Sequence, residues 1–378
     1  MKKISFTYIR GGTSRAVFFL KENLPKDTTQ WNNIFKNALG LPRDMKEPKG
    51  ALGKHLPTSK IAVISSSEHS GFDVDYHFFQ MNDNTGIADD RGTCGNMSSA
   101  VGTFAADHGL VQVKDGENTV KVYNVNTGKL FLSTFIVKNG ISVVLGDTIL
   151  PGLTETGSPI VLDFRYPGGG YSGKLFPTGH KTDKINCESY GEKKVTIIDC
   201  VNPIVIVKAE DVGMTGRELK NDEINNDSMK ILQMIRGKVA VLLKLVEKWE
   251  EAAILSTYIP HISVVSKATD YVTANGENIY KSDMDFCARS IFTGLHPTYP
   301  AGAAIATAAA ACISDTIIEK ECTQNNIQTK SMIRKFTIGH PCGCFPVTIT
   351  VNGEEIESGR IVRTARVIFD GELYCEQM

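Results

Sequence analysis

Two residues in the first quarter of the chain have the types and settings that proton transfer needs. Cys94 heads the stretch "CGNMSSAVGTFAADHGLV", in which Met97 to Leu110 reads as a helix of small residues. A thiol at a helix N-terminus meets free backbone N–H groups and the positive end of the helix dipole, both of which favour the thiolate. Arg91 nearby should push the same way. A buried, inert cysteine is the alternative, and the adjoining glycine and helix start favour chemistry over it. Lys60 opens the apolar strand "KIAVIS". A solvated charge is the ordinary expectation at a strand end. Held inside a cleft, the same lysine loses hydration and its amine moves toward a usable base.

Other stretches could hold an anion. In "RGGTSR" a Gly-Gly turn with flanking hydroxyls, built from Gly12, Thr13, Ser14 and Arg15, can turn backbone N–H groups toward a negative group. An ordinary hairpin turn explains the same residues. Gly95, Asn96 and Met97 follow Cys94 into the helix and offer further amides. Later in the chain, His296 in "GLHPTYPAG", Gly302 at the head of "AGAAIATAAAACI", and Gly339-His340 in "GHPCGCF" are the candidates for substrate contact. Cys342 and Cys344 beside His340 suggest zinc only weakly, because no second Cys/His cluster accompanies them. No metal site is expected. "PGGGYSGKLFPTGH" fails as a phosphate loop, since Leu175 stands where Ser or Thr is needed and Pro177 stops the following helix.

These residues must be positioned by strands. The first half is dominated by "KISFTYI", "RAVFFL", "KIAVIS", "VDYHFFQM", "TVKVYNV", "KLFLSTFIV" and "ISVVLG", separated by Gly, Asn or Asp turns, with "VKNG" at 137–140 as a hairpin signal. Only one convincing buried helix interrupts them, so a doubly wound parallel sheet is not expected. The second half repeats the recipe around the small-residue helix 301–313, and adds an amphipathic helix from roughly Asn225 to Leu255. A helix of Ala, Gly, Ser and Thr lets strands approach on every side, which suits a curved sheet wrapped around it. The expected fold class is α+β: two pseudo-equivalent domains, 1–185 and 186–378, each a curved, mostly antiparallel sheet around a central small-residue helix, with the active site in the cleft between them. Two helix N-termini facing one cleft would suit a di- or tricarboxylate.

Composition narrows the partners. Lys plus Arg is 41 against 42 for Asp plus Glu, and no long basic run appears, which argues against nucleic acid. No apolar run approaches a membrane span, and "MKKISFTYIRGG" breaks too early for a signal peptide. Nine scattered cysteines suit reduced thiols in the cytoplasm. A homo-oligomer is left open. The halves align Ala301 with Cys94, so a racemase using one thiol from each half lacks its second thiol.

As an ordered set, "RGGTSRAVFF", "SKIAVIS", "CGNMSSAVGTFAADHGLV", "GKLFPTGHKTD", "NPIVIVKAEDVGMTG", "IGHP" and "RTAR" resemble the PrpF-type isomerases along nearly the whole chain. That family is built on the diaminopimelate epimerase fold. It includes isomerases of 2-methylaconitate, aconitate, 3-methylitaconate and 4-oxalomesaconate. The resemblance implies a catalytic Lys–Cys pair, matching Lys60 and Cys94, and a lysine in the role of the missing thiol. It further implies an allylic proton shift on a small unsaturated di- or tricarboxylate, with no cofactor. The chain departs from the family at Cys342, where Ser is commoner, and at Pro300. The rival readings are a non-catalytic accessory protein that binds such acids or supports a metabolic enzyme, and an amino-acid epimerase, which Ala301 weakens.

Overall fold

The computed structural model describes residues 2–41, 58–319 and 331–375. The chain divides into two compact units, Met1–Asp163 with Val362–Met378, and Phe164–Ile361.

In the first unit, strands β1 (Lys2–Gly11) and β2 (Ser14–Leu20) form an antiparallel hairpin. Helix α1 (Trp31–Ala38) follows, and β3 (Lys60–Ser66) then lies parallel to β2. Strand β4 (Val74–Met81) returns antiparallel to β3 and is extended by the short β5 (Ala88–Asp89). A 3₁₀ turn, Met97–Ala100, leads into helix α2 (Val101–Asp107). Strand β6 (Gly116–Asn124) pairs parallel to β4, and β7 (Lys129–Lys138) antiparallel to β6. The "VKNG" signal is a tight hairpin onto β8 (Ile141–Ser142), with Asn139 and Gly140 at φ 55° and 77°, as a turn matching the strand twist requires.

The run "VFF" in β2 shows why this sheet carries a helix on each face. Side chains alternate along a strand. Phe18 meets Phe104 of α2, while Phe19 stacks on Phe35 of α1. Each fully buried ring contributes about 1.5–3 kcal/mol relative to an exposed one. The small residues of α2 serve close approach: a Cβ on Gly102 would stand 2.5 Å from Ser133 Oγ of β7.

Strand β9 (Ile160–Arg165) carries the chain into the second unit. There β10 (Asp183–Asn186), β11 (Glu192–Cys200) and β12 (Asn202–Lys208) form successive antiparallel pairs. Helices α3 (Asn226–Leu242) and α4 (Ala252–Leu255) precede β13 (His261–Lys267), which is parallel to β12. A small ribbon, β14 (Tyr271–Val272) and β15 (Asn278–Ile279), is followed by β16 (Phe286–Ile291), antiparallel to β13. Helix α5 (Ala301–Ala311) is buried at every position, as an all-apolar helix must be. Strand β17 (Ser331–His340) pairs parallel to β16, and β18 (Gly343–Asn352) antiparallel to β17. Strands β19 (Glu355–Arg363) and β20 (Ala365–Cys375) end the description.

The halves are related in topology. From β1 to β7 the successive pairings run antiparallel, parallel, antiparallel, parallel, antiparallel, and from β11 to β18 the same order recurs. The small helix follows the fourth strand of the series in each. The chain therefore has the α+β, diaminopimelate epimerase-like fold expected.

Three details differ from expectation. A single division at 185/186 was expected, whereas the contacts divide the chain at 163/164 and again at 361/362. The cause of the second division is β20, which pairs along β1 from Lys2↔Cys375 to Gly11↔Ala365 and so belongs to the first unit. The helix expected to run to Leu255 ends at Leu242, because Lys244 takes φ 58° and the chain turns before α4. Leu242, the last residue of α3, is 54% exposed. The helix expected over 97–110 stops at Asp107.

Candidate active site

In the first unit, Lys60 and Gln80 are directly opposite one another in the β3–β4 ladder. Lys60 is 4% exposed, and its Nζ donates to Gln80 Oε1 at 3.0 Å. Burial lowers the pKa of this amine from its ordinary value, against smaller opposing influences from Cys94 and Asp83. Cys94 is thus within electrostatic reach of Lys60, and it is itself 6% exposed. Its carbonyl accepts from Ser98 N at 2.9 Å and Ser98 Oγ at 3.0 Å, which anchors the thiol-bearing residue just ahead of the 3₁₀ turn Met97–Ala100; the α-helix expected to begin beside Cys94 starts only at Val101. The Tyr76 hydroxyl is buried beside Cys94, Thr93 and Ser98, and burial raises its pKa. Arg91 differs from expectation. Its guanidinium forks onto Asp89 at 2.8 and 2.7 Å, so the charge expected to act on Cys94 is compensated by a carboxylate.

The Gly12-Thr13 connection between β1 and β2 lies against the residues after Cys94. Gly12 has φ 51°, in the left-handed region that favours glycine, and a Cβ there would stand 2.4 Å from Asn96 Oδ1. Asn96 Nδ2 donates to Thr13 Oγ1 at 3.1 Å and lies 3.5 Å from Ser14 Oγ. Gly12, Thr13, Ser14 and Asn96 are therefore brought together, with Met97 fully buried behind them: a Cβ on Gly11 would stand 3.2 Å from Met97 Cε. Gly95 is buried between Cys94 and Asn96. Arg15 is exposed, and the buried cation at this end of the hairpin is its cross-strand partner Arg10. Arg10 Nη1 donates to Gly12 O and Thr364 O, both at 3.1 Å, while its Nε finds no partner among the described residues. Arg363 is the second buried guanidinium beside Gly12, its Cδ 3.1 Å from where a Gly12 Cβ would be, and burial pushes its pKa down to about 9.

The remaining candidates gather in the second unit. The His296 ring Nδ1 accepts from Thr298 N at 3.1 Å in the loop before α5. Cys342 Sγ donates to Pro297 O at 3.2 Å in the same loop, and Cys342 N donates to His340 Nδ1 at 3.2 Å. His296, Gly339, His340 and Cys342 thus belong to one neighbourhood. Two buried side chains hold the turn at 340–343: the single Tyr271 O–H is shared between His340 O at 2.8 Å and Gly343 O at 2.9 Å, and Arg289 Nη1 reaches Gly339 O at 3.2 Å. The Arg289 guanidinium also lies over the Tyr271 ring, 5.2 Å from its centre. Gly302, in the first turn of α5, faces Val201 and Asn202 of the β11–β12 turn at 3.4–3.5 Å from its would-be Cβ, and Pro300 caps that helix. The first hairpin turn thus meets the start of the small helix in both units.

Comparison with known proteins decides the family. The PrpF protein family model matches residues 1–376. The chain belongs to the PrpF family. A 3-methylitaconate isomerase of Eubacterium barkeri is 35% identical, with 99% of this chain and 98% of that protein covered. A 2-methyl-aconitate isomerase of Shewanella oneidensis is 31% identical over 98% and 96%. Among solved structures, a methylitaconate-delta-isomerase superposes with a TM-score of 0.79 at 34% identity, covering 98% of this chain and 95% of that one.

Reasoning from sequence did not single out Gln80, Tyr76, Arg289 or Tyr271 in this PrpF-family chain. One signal was there for Gln80. Tyr76, Phe78 and Gln80 alternate on one fully buried face of β4, so a polar residue stood in phase with the core. For Arg289 the same rule applies within the continuously buried "FCARSI" of β16.

Proposed function

We propose that this chain is a cofactor-independent isomerase that moves an allylic proton on a small unsaturated di- or tricarboxylate, such as 3-methylitaconate, 2-methylaconitate, aconitate or 4-oxalomesaconate. The observation that carries this reading is the buried Lys60 amine, lowered in pKa by burial and within electrostatic reach of Cys94. The names of the relatives support the substrate class.

Lys60, as the neutral amine, removes a proton from the carbon next to the double bond. The electron pair spreads over the three-carbon system and a carboxylate. Cys94 returns a proton at the far end, or at the same end after rotation. One proton leaves and one arrives, so the substrate's composition and oxidation state are unchanged; Lys60 is left as ammonium and Cys94 as thiolate, and exchange with solvent, the lysine losing a proton and the thiolate gaining one, restores the pair. The two residues can exchange roles for the reverse reaction. Developing negative charge is met by the amides of Gly95 and Asn96 and by the Gly12-Thr13-Ser14 turn, since preorganised donors of this kind contribute strongly to such steps. The buried guanidinium of Arg10, whose Nε has no partner among the described residues, suits a carboxylate. His296, Gly302, Gly339 and His340 are proposed as further substrate-binding residues. The protein acts in the cytoplasm on this reading, and among the described residues no helix is long and apolar enough to cross a membrane.

The test is deuterium wash-in followed by proton NMR, with the four acids in D₂O. Wild type should exchange allylic protons of at least one acid, and Lys60→Ala and Cys94→Ala should each lose at least about 10²-fold in rate, as expected for loss of an acid–base group. Binding without exchange in the wild type would instead support an accessory protein that only holds such acids.

A further inference from the structure

We propose that Gln80 is the positioning residue for Lys60, fixing where its amine sits and setting the pH at which it becomes a base. The inference rests on the reading of Lys60 as the proton acceptor, and deepens it.

The geometry leaves the Gln80 amide one orientation. Gln80 is fully buried, and its Nε2 donates to two backbone carbonyls, Ser59 O at 2.8 Å and Met81 O at 3.3 Å. Reversing the amide would aim its oxygen at two carbonyl oxygens and its NH₂ at the Lys60 amine. The strand backbone therefore dictates that an oxygen faces Lys60 Nζ, at 3.0 Å. The Ser59 carbonyl is held in turn by Met81 N at 2.9 Å, so the whole arrangement is built into the β3–β4 ladder.

The chemical nature of that oxygen matters as much as its place. A carboxylate there would stabilise the ammonium and raise its pKa by one to three units. An amide oxygen accepts more strongly from an ammonium than from a neutral amine, but favours the ammonium far less than a carboxylate does, so it fixes the nitrogen while raising the amine's pKa only modestly. Among the described residues, Cys94 and Asp83 bear electrostatically on Lys60, and both favour the ammonium. Asp83 is partly satisfied elsewhere, accepting from Ser59 Oγ at 2.8 Å. A neutral residue opposite the lysine lets burial outweigh both.

The experiment measures kcat/KM against pH for 3-methylitaconate isomerisation by proton NMR, with wild type, Gln80→Glu, Gln80→Met and Lys60→Ala. In the wild type the acid limb reports the base in the free enzyme. Gln80→Glu should move that limb to higher pH by at least about one unit. Gln80→Met, which removes the acceptor, should move it to lower pH and reduce kcat by about 10–100-fold through misplacement of the amine, with KM changed little. Shifts of opposite sign cannot come from general loosening of the fold. Both limbs remaining at the wild-type pH, with only a drop in rate, would overturn the proposal. Activity retained in Lys60→Ala would overturn the underlying reading instead. If Gln80→Glu fails to fold, the pH dependence of Lys60 acetylation by acetic anhydride, read by mass spectrometry in wild type and Gln80→Met, reports the amine directly. An identical midpoint in the two proteins would then reject the role of Gln80.

Discussion

Replacing Gly12 by alanine tests whether the β1–β2 turn and Asn96 form one structure. The new Cβ would lie 2.4 Å from Asn96 Oδ1 and 2.9 Å from its Cγ, about 1 Å closer than ordinary contact, so the Asn96 amide must move. Movement breaks its bond to Thr13 Oγ1, at a net cost of about 0.5–1.5 kcal/mol. A non-glycine residue at φ 51° costs roughly 1–2 kcal/mol more. The sum is about 1.5–3.5 kcal/mol, or a fall in Tm of roughly 3–14 °C for a unit of this size. Gly140→Ala is the control: it has φ 77° but nothing within 4 Å of its would-be Cβ, so only the backbone cost of roughly 1–2 kcal/mol applies. Scanning calorimetry should place Gly12→Ala below Gly140→Ala, and NMR assays should show a raised KM for Gly12→Ala alone. Equal Tm values with an unchanged KM would refute the coupling of this turn to Asn96.

Tyr271→Phe removes the one O–H donor shared by the buried His340 and Gly343 carbonyls of the turn at 340–343, and should cost about 1–3 kcal/mol in urea titrations while raising KM more than it lowers kcat. An unchanged KM would separate that turn from substrate binding. His261 is buried and stacked on Phe292, and burial pushes its pKa down to about 3. The unfolded chain therefore binds the extra proton below pH 6.5, and stability present above that pH is lost as pH falls toward 3. Between pH 6.5 and 4.5 the loss should be about 2 kcal/mol, and His261→Phe should flatten that part of the urea-midpoint profile.

Much of the fold was legible because it rests on local patterns. Alternating β-branched runs gave the strands, Asn139-Gly140 the hairpin, and the Ala/Gly/Ser helices the close-packed centres. The repeat could be seen from the order of strands and small helix. The return of β20 to β1 could not, because a strand pattern does not carry the identity of its partner. The end of α3 was missed because Leu245 and Val246 continue a helical spacing past the point where Lys244 turns the backbone. At the site, Lys60 and Cys94 stood out by residue type and position. Gln80 did not, since its role depends on a cross-strand register that only the folded β3–β4 pair supplies.

The pairing of β1 with β20 has a consequence for how the molecule is made. Lys2 is matched to Cys375, so one edge of the first unit waits for a strand that is translated after the whole of the second unit. The second unit is a single continuous stretch, Phe164–Ile361, with no such dependence. During vectorial synthesis it is therefore the second unit that can close first, while β1 emerges early and keeps one edge unpaired until β20 leaves the ribosome. A nascent-chain chaperone would find its longest-lived target at the N-terminal strand that carries the Gly12 turn.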